Sequence, residues 1–206
     1  MHLAPPVRLL TVCGSLQIRS ANRAAIDVAS SLASAHGAAV DDFDALGDVP
    51  AFNPDRSDEH IAVIEDWRRF IDVADVVLVA APEYAGGVAG ALKNAFDWLV
   101  GSGNLYRKPV GVISAGTSGG QHVRQAMVQT LTWQGAYVVA ELGISAPRTK
   151  SDDAGRFTDV PTVTAISALT KLLLDAPAMR GSDLAALAGR VAHSFGIDAS
   201  HITPPV

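Results

Sequence analysis

The chain has 206 residues, a formal net charge of −5 and a single cysteine; 49% of it is apolar and 18% is charged. That composition excludes a disordered chain, and the length is enough to bury one ordinary core without staples. The acidic balance argues against nucleic acid or an anionic membrane as the main partner, since both require clustered Lys and Arg.

Residues 7–13 (VRLLTVC) form an apolar run of the kind expected for a strand buried on both faces, and Gly14 ends it. Ser20 or a neighbour then caps a helix with Ala21, Ala25, Val28, Ala29 and Leu32 at near-helical spacing, stopped by Gly37. A weaker second strand is read at 40–43 and a polar loop at 47–57. A helix follows with Ile61, Ile64, Trp67, Phe70 and Ile71 on one side. Residues 75–81 (DVVLVAA) are the clearest strand, stopped by Pro82, which cannot donate to a sheet ladder. A Gly-rich turn leads to a helix over about 90–99. The fourth strand is read at 110–114, a Gly-rich loop at 116–120 and a helix through Leu131. The fifth strand spans 137–142, with a helix near 163–174. A tail follows, with a short helix at 182–194 and fraying expected at 203–206.

Five strands alternating with helices predict a parallel sheet covered on both faces. In such sheets ligands bind outside the carboxyl ends of the strands. Three loops fall there: 14–22, 82–90 and 114–120. The first places Ser15, Ser20 and Asn22 between a strand and a helix N-terminus, where free N–H groups and the helix dipole favour a phosphate. Simple capping by Ser20 explains the same residues equally well. Neither Gly-x-x-x-x-Gly-Lys-Ser/Thr nor Gly-x-Gly-x-x-Gly is present. The second loop reads Pro82-Glu83-Tyr84-Ala85-Gly86-Gly87-Val88-Ala89-Gly90-Ala91-Leu92-Lys93-Asn94-Ala95-Phe96-Asp97-Trp98. Its glycines let backbone approach a flat ligand, and Tyr84 is suited to lie against an aromatic ring.

These two loops resemble the NAD(P)H-dependent FMN reductases, a family that includes quinone, azo-dye and chromate reductases. The family's loops read Gly-Ser-Leu-Arg-x-x-Ser-x-Asn and Pro-Glu-Tyr-Asn-x-x-x-Pro-Gly-x-Leu-Lys-Asn-x-x-Asp-Trp. Asn53-Pro54-Asp55 and Gly116-Thr117-Ser118-Gly119-Gly120 are also similar to the family, and the resemblance covers about residues 7–145. It implies a flavodoxin-like three-layer sandwich with strand order 2-1-3-4-5. Pro177 and Gly181 set off the tail, which divides the chain into an FMN-binding domain, 1–175, and a helical appendage, 176–206. The resemblance also implies that Gly14 makes the turn and that Ser15, Ser20 and Asn22, with Gln17 beside them, hold the FMN phosphate. Pro82, Glu83, Tyr84, Ala85, Gly86 and Gly87 would line the isoalloxazine. Ser114, Gly116, Thr117 and Gly119 would form a third wall. Lys93, Asn94, Asp97 and Trp98 are expected to be structural, holding the second loop or a subunit interface. Gln17, Ala85 and Ala89 depart from the family's Arg, Asn and Pro. The phosphate loop therefore relies on neutral donors and the helix end, with Arg19 the nearest substitute for the lost charge.

The resemblance implies FMN as cofactor, NAD(P)H as co-substrate, a quinone, azo compound, flavin or similar electron acceptor, and a homodimer or homotetramer. No catalytic side chain is required, because the flavin carries the chemistry. Two other readings are a flavodoxin-type electron carrier and a non-catalytic flavin-fold binding module. The first lacks its Thr-x-Thr-Gly-x-Thr loop here.

The remaining candidates read as structural. Cys13 is expected to be a packed core cysteine, and one cysteine fits a reducing cytoplasm. The six histidines have no metal-ligand spacing. Asp41, Asp42 and Asp44 read as a solvated strand end. Trp67 and Trp133 read as core. Ser118 does not fit a Gly-x-Ser-x-Gly elbow. No apolar run reaches the roughly 20 residues of a membrane span, and the start of the chain has no signal-peptide pattern.

Overall fold

A computed structural model describes residues 5–57 and 59–202. The expectation of fraying at 203–206 lies outside them, as do residues 1–4 of the start. Five long strands form one parallel sheet: β1 (Arg8–Cys13), β2 (Ala39–Phe43), β3 (Val76–Ala80), β6 (Pro109–Gly116) and β7 (Tyr137–Ser145). Two short strands, β4 (Glu83–Tyr84) and β5 (Gly87–Val88), form a separate antiparallel hairpin. The sheet order is β2-β1-β3-β6-β7. With the hairpin set aside, that is the expected order 2-1-3-4-5 of a flavodoxin-like sandwich. The five residues of β3 are all fully buried, which is why they read as an unbroken apolar run.

The helices are α1 (Ala21–Ala35), α2 (Ala62–Val73), α3 (Gly90–Asp97), α4 (Gln121–Trp133), α5 (Val160–Asp175) and α6 (Gly181–Ser194). The chain steps from β1 outward to β2, then back across β1 to β3. Right-handed crossovers therefore put α1 on the opposite face from α2, α3 and α4. α5 returns to pack beside α1. α1 begins at Ser20, whose hydroxyl accepts the Asn22 N–H at 3.2 Å. It ends at Gly37, whose φ of +82° lets the chain reverse. α5 starts three residues before its expected position because Asp159 caps it and Pro161 fits its first turn.

Two expectations change. Trp133 is 67% exposed and lies beside the His201 ring rather than in the core. It closes α4 two residues past the buried Leu131, which at 3.6 residues per turn puts it on the opposite side of the helix. Asp41 and Asp42 are not simply solvated; they pair with Arg8 at 2.7 Å and Arg23 at 2.8 Å, and Asp42 also accepts the Thr11 hydroxyl. Trp67 is core as expected, its indole N–H donating to the Ala95 carbonyl at 2.8 Å.

The tail packs closely. α6 lies against β7, and Leu184, Ala185, Ala188 and Ala192 join the same hydrophobic cluster as the sheet. An Ala188→Asp substitution buries an unpaired carboxylate and should destabilise the protein by about 3 kcal/mol. Ala186→Asp, on the exposed side of the same helix, should change stability by less than about 0.5 kcal/mol. Urea unfolding of both variants checks the difference.

Candidate active-site cleft

The carboxyl ends of β1, β3 and β6 open into one cleft of about 1420 Å³. Loop 14–22 forms one wall. Pro82, Glu83 and Tyr84 form a second. Gly116 and Thr117 belong to a third. Ser15, Gln17, Ser20 and Asn22 all line it. Of the expected site residues, Gly14, Ala85, Gly86, Gly87, Ser114 and Gly119 do not.

Loop 14–22 turns sharply because Gly14 is squeezed between β3 and α3. Its N–H donates to the Ala80 carbonyl at 2.8 Å, and a Cβ there would fall 2.6 Å from Leu92 and 2.9 Å from Pro82. Beyond the turn, the Ser15 hydroxyl accepts the Gln17 N–H at 3.3 Å. Among the described residues, the N–H groups of Ile18, Arg19, Ser20 and Ala21 bond to nothing in the chain. They stand at the positive end of α1. Such a row of free donors suits a phosphate dianion.

Asn22 does something different. Its side-chain N–H donates to the Ala115 carbonyl at 3.1 Å, and its oxygen accepts the Ala115 N–H at 2.9 Å. The amide is buried and committed to β6, so it fastens the first wall to the third. Arg23 behind it is held by Asp42. Burial raises the carboxyl pKa of Asp27, which also faces the cleft, with Arg23 pulling the other way.

The second wall is a two-residue hairpin turn. Ala85 and Gly86 both have positive φ, +51° and +71°, as a type I′ turn requires. Alanine is strained there, whereas asparagine adopts this conformation readily. Tyr84 stands 57% exposed at the cleft. The Glu83 carboxylate reaches across and accepts the Val123 N–H at 3.0 Å, capping α4 where Gly120 supplies no side chain. Glu83 thus joins the second wall to the helix that follows the third.

In the third wall, β6 runs on through Gly116, so Ser114 is a strand residue. It is fully buried, and its hydroxyl has no partner among the described residues. Gly120 packs onto it so closely that a Cβ would fall 2.0 Å from Ser114 Oγ. Gly119 offers its carbonyl to Arg124 Nε at 3.0 Å, and Arg124 in turn pairs with Glu141.

Some residues have roles that the motif did not reveal. Lys93 pairs with Asp97 within α3. Asn94 and Trp98 hold the 49–52 segment rather than the second loop. The Asn94 amide bonds Pro50 O at 2.8 Å and Phe52 N at 2.7 Å, and the Trp98 indole donates to Pro50 O at 2.9 Å. The segment 146–157 also lines the cleft, including Arg148 and Phe157. β7 is longer than 137–142. It pairs through Ser145 with Gly116, and Ala146 N then donates to Thr117 O at 3.2 Å. That pairing carries 146–157 to the site, and no local pattern announces it.

Cys13 borders a second, smaller chamber of about 390 Å³ between loop one and the end of β2. Its thiol is buried and donates to the Ser15 carbonyl, and burial pushes its pKa up. The thiol should react with an aromatic disulfide reagent at pH 8 more than about tenfold more slowly than in the unfolded chain. Ala85→Asn should relieve the turn and raise stability by about 1 kcal/mol, read by thermal or urea unfolding.

The sequence profile of the NADPH-dependent FMN reductase family matches residues 7–150. An NAD(P)H:quinone oxidoreductase from Solanum tuberosum is 33% identical over 135 residues, covering 61% of this chain and 69% of that protein. An NAD(P)H-dependent FMN reductase from Pseudomonas aeruginosa is 30% identical over 164 residues, covering 76% and 88%. Among solved structures, a flavoenzyme NAD(P)H:(acceptor) oxidoreductase from Paracoccus denitrificans superposes with a TM-score of 0.70 at 23% identity. It spans 84% of this chain and 97% of that one, and supports the fold. The chain therefore belongs to the NADPH-dependent FMN reductase family, whose chemistry is oxidoreduction with FMN as cofactor and NAD(P)H as co-substrate.

Proposed function

We propose that the chain is an FMN-dependent NAD(P)H oxidoreductase that delivers two electrons to a quinone, an azo compound, a free flavin or a similar small acceptor. The observation that carries this reading is the row of unbonded N–H groups from Ile18 to Ala21, at the end of a cleft walled by the family's second loop. The cleft's volume exceeds the roughly 300–1,000 Å³ of an ordinary small-molecule pocket, which leaves room for a second reactant beside a flavin.

In this reading the free N–H groups and the Ser15 and Ser20 hydroxyls hold the FMN phosphate. Gln17 adds a neutral donor. The backbone of Pro82, Glu83 and Tyr84 orients the ring, and Gly116 and Thr117 close the far side. Ala85, Gly86 and Gly87 shape the hairpin that carries Tyr84. Gly14, Asn22, Glu83, Ser114 and Gly119 set the spacing of the three walls from behind. FMN held by these residues would supply the two-electron redox chemistry between a nicotinamide hydride donor and the acceptor. The protein contributes position and fixed dipoles rather than a proton-transferring side chain.

Leu16, Ile18 and Tyr84 are exposed apolar side chains at loops one and two, which supports a homodimer or homotetramer that covers them. The buried lone cysteine is compatible with a cytoplasmic setting. Among the described residues no helix is long and apolar enough to cross a membrane.

Purified protein reconstituted with FMN should show a yellow flavin band that bleaches on adding NADH or NADPH and returns on adding a quinone. Initial rates should give the parallel-line pattern of a ping-pong cycle. A protein that takes up no FMN would overturn the assignment. Flavin that is reduced only through a separate reductase would favour an electron carrier.

A further inference from the structure

The cleft is longer than a flavin site needs. From loop 14–22 it continues along the outer side of α1, as far as Leu32, and beneath the segment 146–157. Four arginines line it: Arg19, Arg23, Arg148 and Arg156. Two are neutralised where they stand, Arg23 by Asp42 and Arg156 by Asp152, each at 2.8 Å. The other two differ. Arg19 and Arg148 are exposed, and among the described residues neither side chain makes an ion pair or a hydrogen bond. They come from opposite walls, Arg19 from the loop after β1 and Arg148 from the turn Pro147–Lys150 after β7.

Unpaired guanidinium groups on both walls of an extended cleft suit a dianion, because each presents a planar fork of donors that matches phosphate oxygens. The free N–H groups of loop one already supply a site for one phosphate at the end of α1. Arg148 lies on a different segment, in the turn Pro147–Lys150 on the opposite wall of the same cleft.

We propose that Arg148, completed by Arg19, forms a subsite for a phosphate monoester on the second reactant, the 2′-phosphate of NADPH, and that this pair makes the protein select NADPH over NADH. The inference rests on the oxidoreductase reading given above. A guanidinium near the ribose is a general means of accommodating a 2′-phosphate. Gln17 adds no charge to the cleft, which leaves Arg19 and Arg148 as its unpaired cationic side chains among the described residues.

The test is the ratio of KM values. Arg148→Ala should raise KM for NADPH about tenfold to a hundredfold more than KM for NADH, the worth of a charge-assisted hydrogen bond. Arg148→Lys should recover part of that difference, and Arg19→Ala should move the ratio in the same direction. A second measurement does not depend on turnover. Adenosine 2′,5′-bisphosphate and 5′-AMP are titrated against FMN-loaded protein, and the wild type should bind the former more tightly while Arg148→Ala should not. An unchanged ratio in Arg148→Ala, together with equal binding of the two adenosine ligands by wild type and variant, overturns the subsite. A protein that binds FMN but oxidises neither nucleotide overturns the oxidoreductase reading instead. The adenosine titration then still decides the subsite.

Discussion

Asn22 and Ala115 are 93 positions apart and exchange two hydrogen bonds in a buried setting. One end of that exchange is the first turn of α1, and the other is the last stretch of β6. The reciprocal pair fixes the distance between the loop after β1 and the loop after β6, and so fixes the width of the cleft. Each bond contributes about 1 kcal/mol net, but losing the amide would leave a buried N–H and a buried carbonyl without partners, which costs more. The other walls are set by the same device. Glu83 ties the hairpin to the first turn of α4, and Arg124 ties the 116–120 loop to Glu141 of β7. Two side chains that look like ligands in the sequence, Asn22 and Glu83, therefore tie one wall to another.

That division of labour leaves the backbone to face a ligand. The first loop keeps its N–H groups free because Ser15 and Ser20 fold back onto Gln17 and Asn22 rather than satisfying their neighbours. The second loop keeps its backbone near the cleft through a turn in which one residue, Ala85, sits at positive φ without the freedom of glycine. Strain at that position is consistent with a loop held in place from both sides, by Glu83 above and by the tight contact of Gly14 with Pro82 below. A binding surface made of fixed backbone dipoles needs no reorganisation when charge develops against it, which suits a site whose bound cofactor does the chemistry.

Charge is distributed with the same economy. Two of the four arginines that line the cleft, Arg23 and Arg156, are neutralised by neighbouring aspartates, so they contribute packing and position rather than field. Asp41 and Asp42, which look like a plain acidic strand end, hold Arg8 and Arg23 in place. Burial pushes the Cys13 thiol pKa up, which disfavours an anion beside the free N–H groups of loop 14–22.

How much of this was legible in the sequence depends on the range of the interaction. The five strands of the sheet and the start of α1 were readable because apolar runs, caps and glycines act over a few residues; β3 and Ser20 are the clearest cases. The two motif loops fall at the sheet edge where the large cleft opens. Helical phase misplaced Trp133 because it closes the helix, where the periodic pattern has no following turn to anchor it. The roles of Asn22, Glu83, Asn94 and Trp98 were decided only in the tertiary structure, since each bonds to a segment at least 40 positions away. The same holds for Arg148. Its place in the cleft follows from β7 pairing past its expected end and carrying the next segment to the mouth of the first loop. The sequence by itself determined the fold, the family and the sheet edge on which the family's loops fall, because those rest on local pattern. Which side chains line the cleft and which tie its walls together was settled by long-range packing.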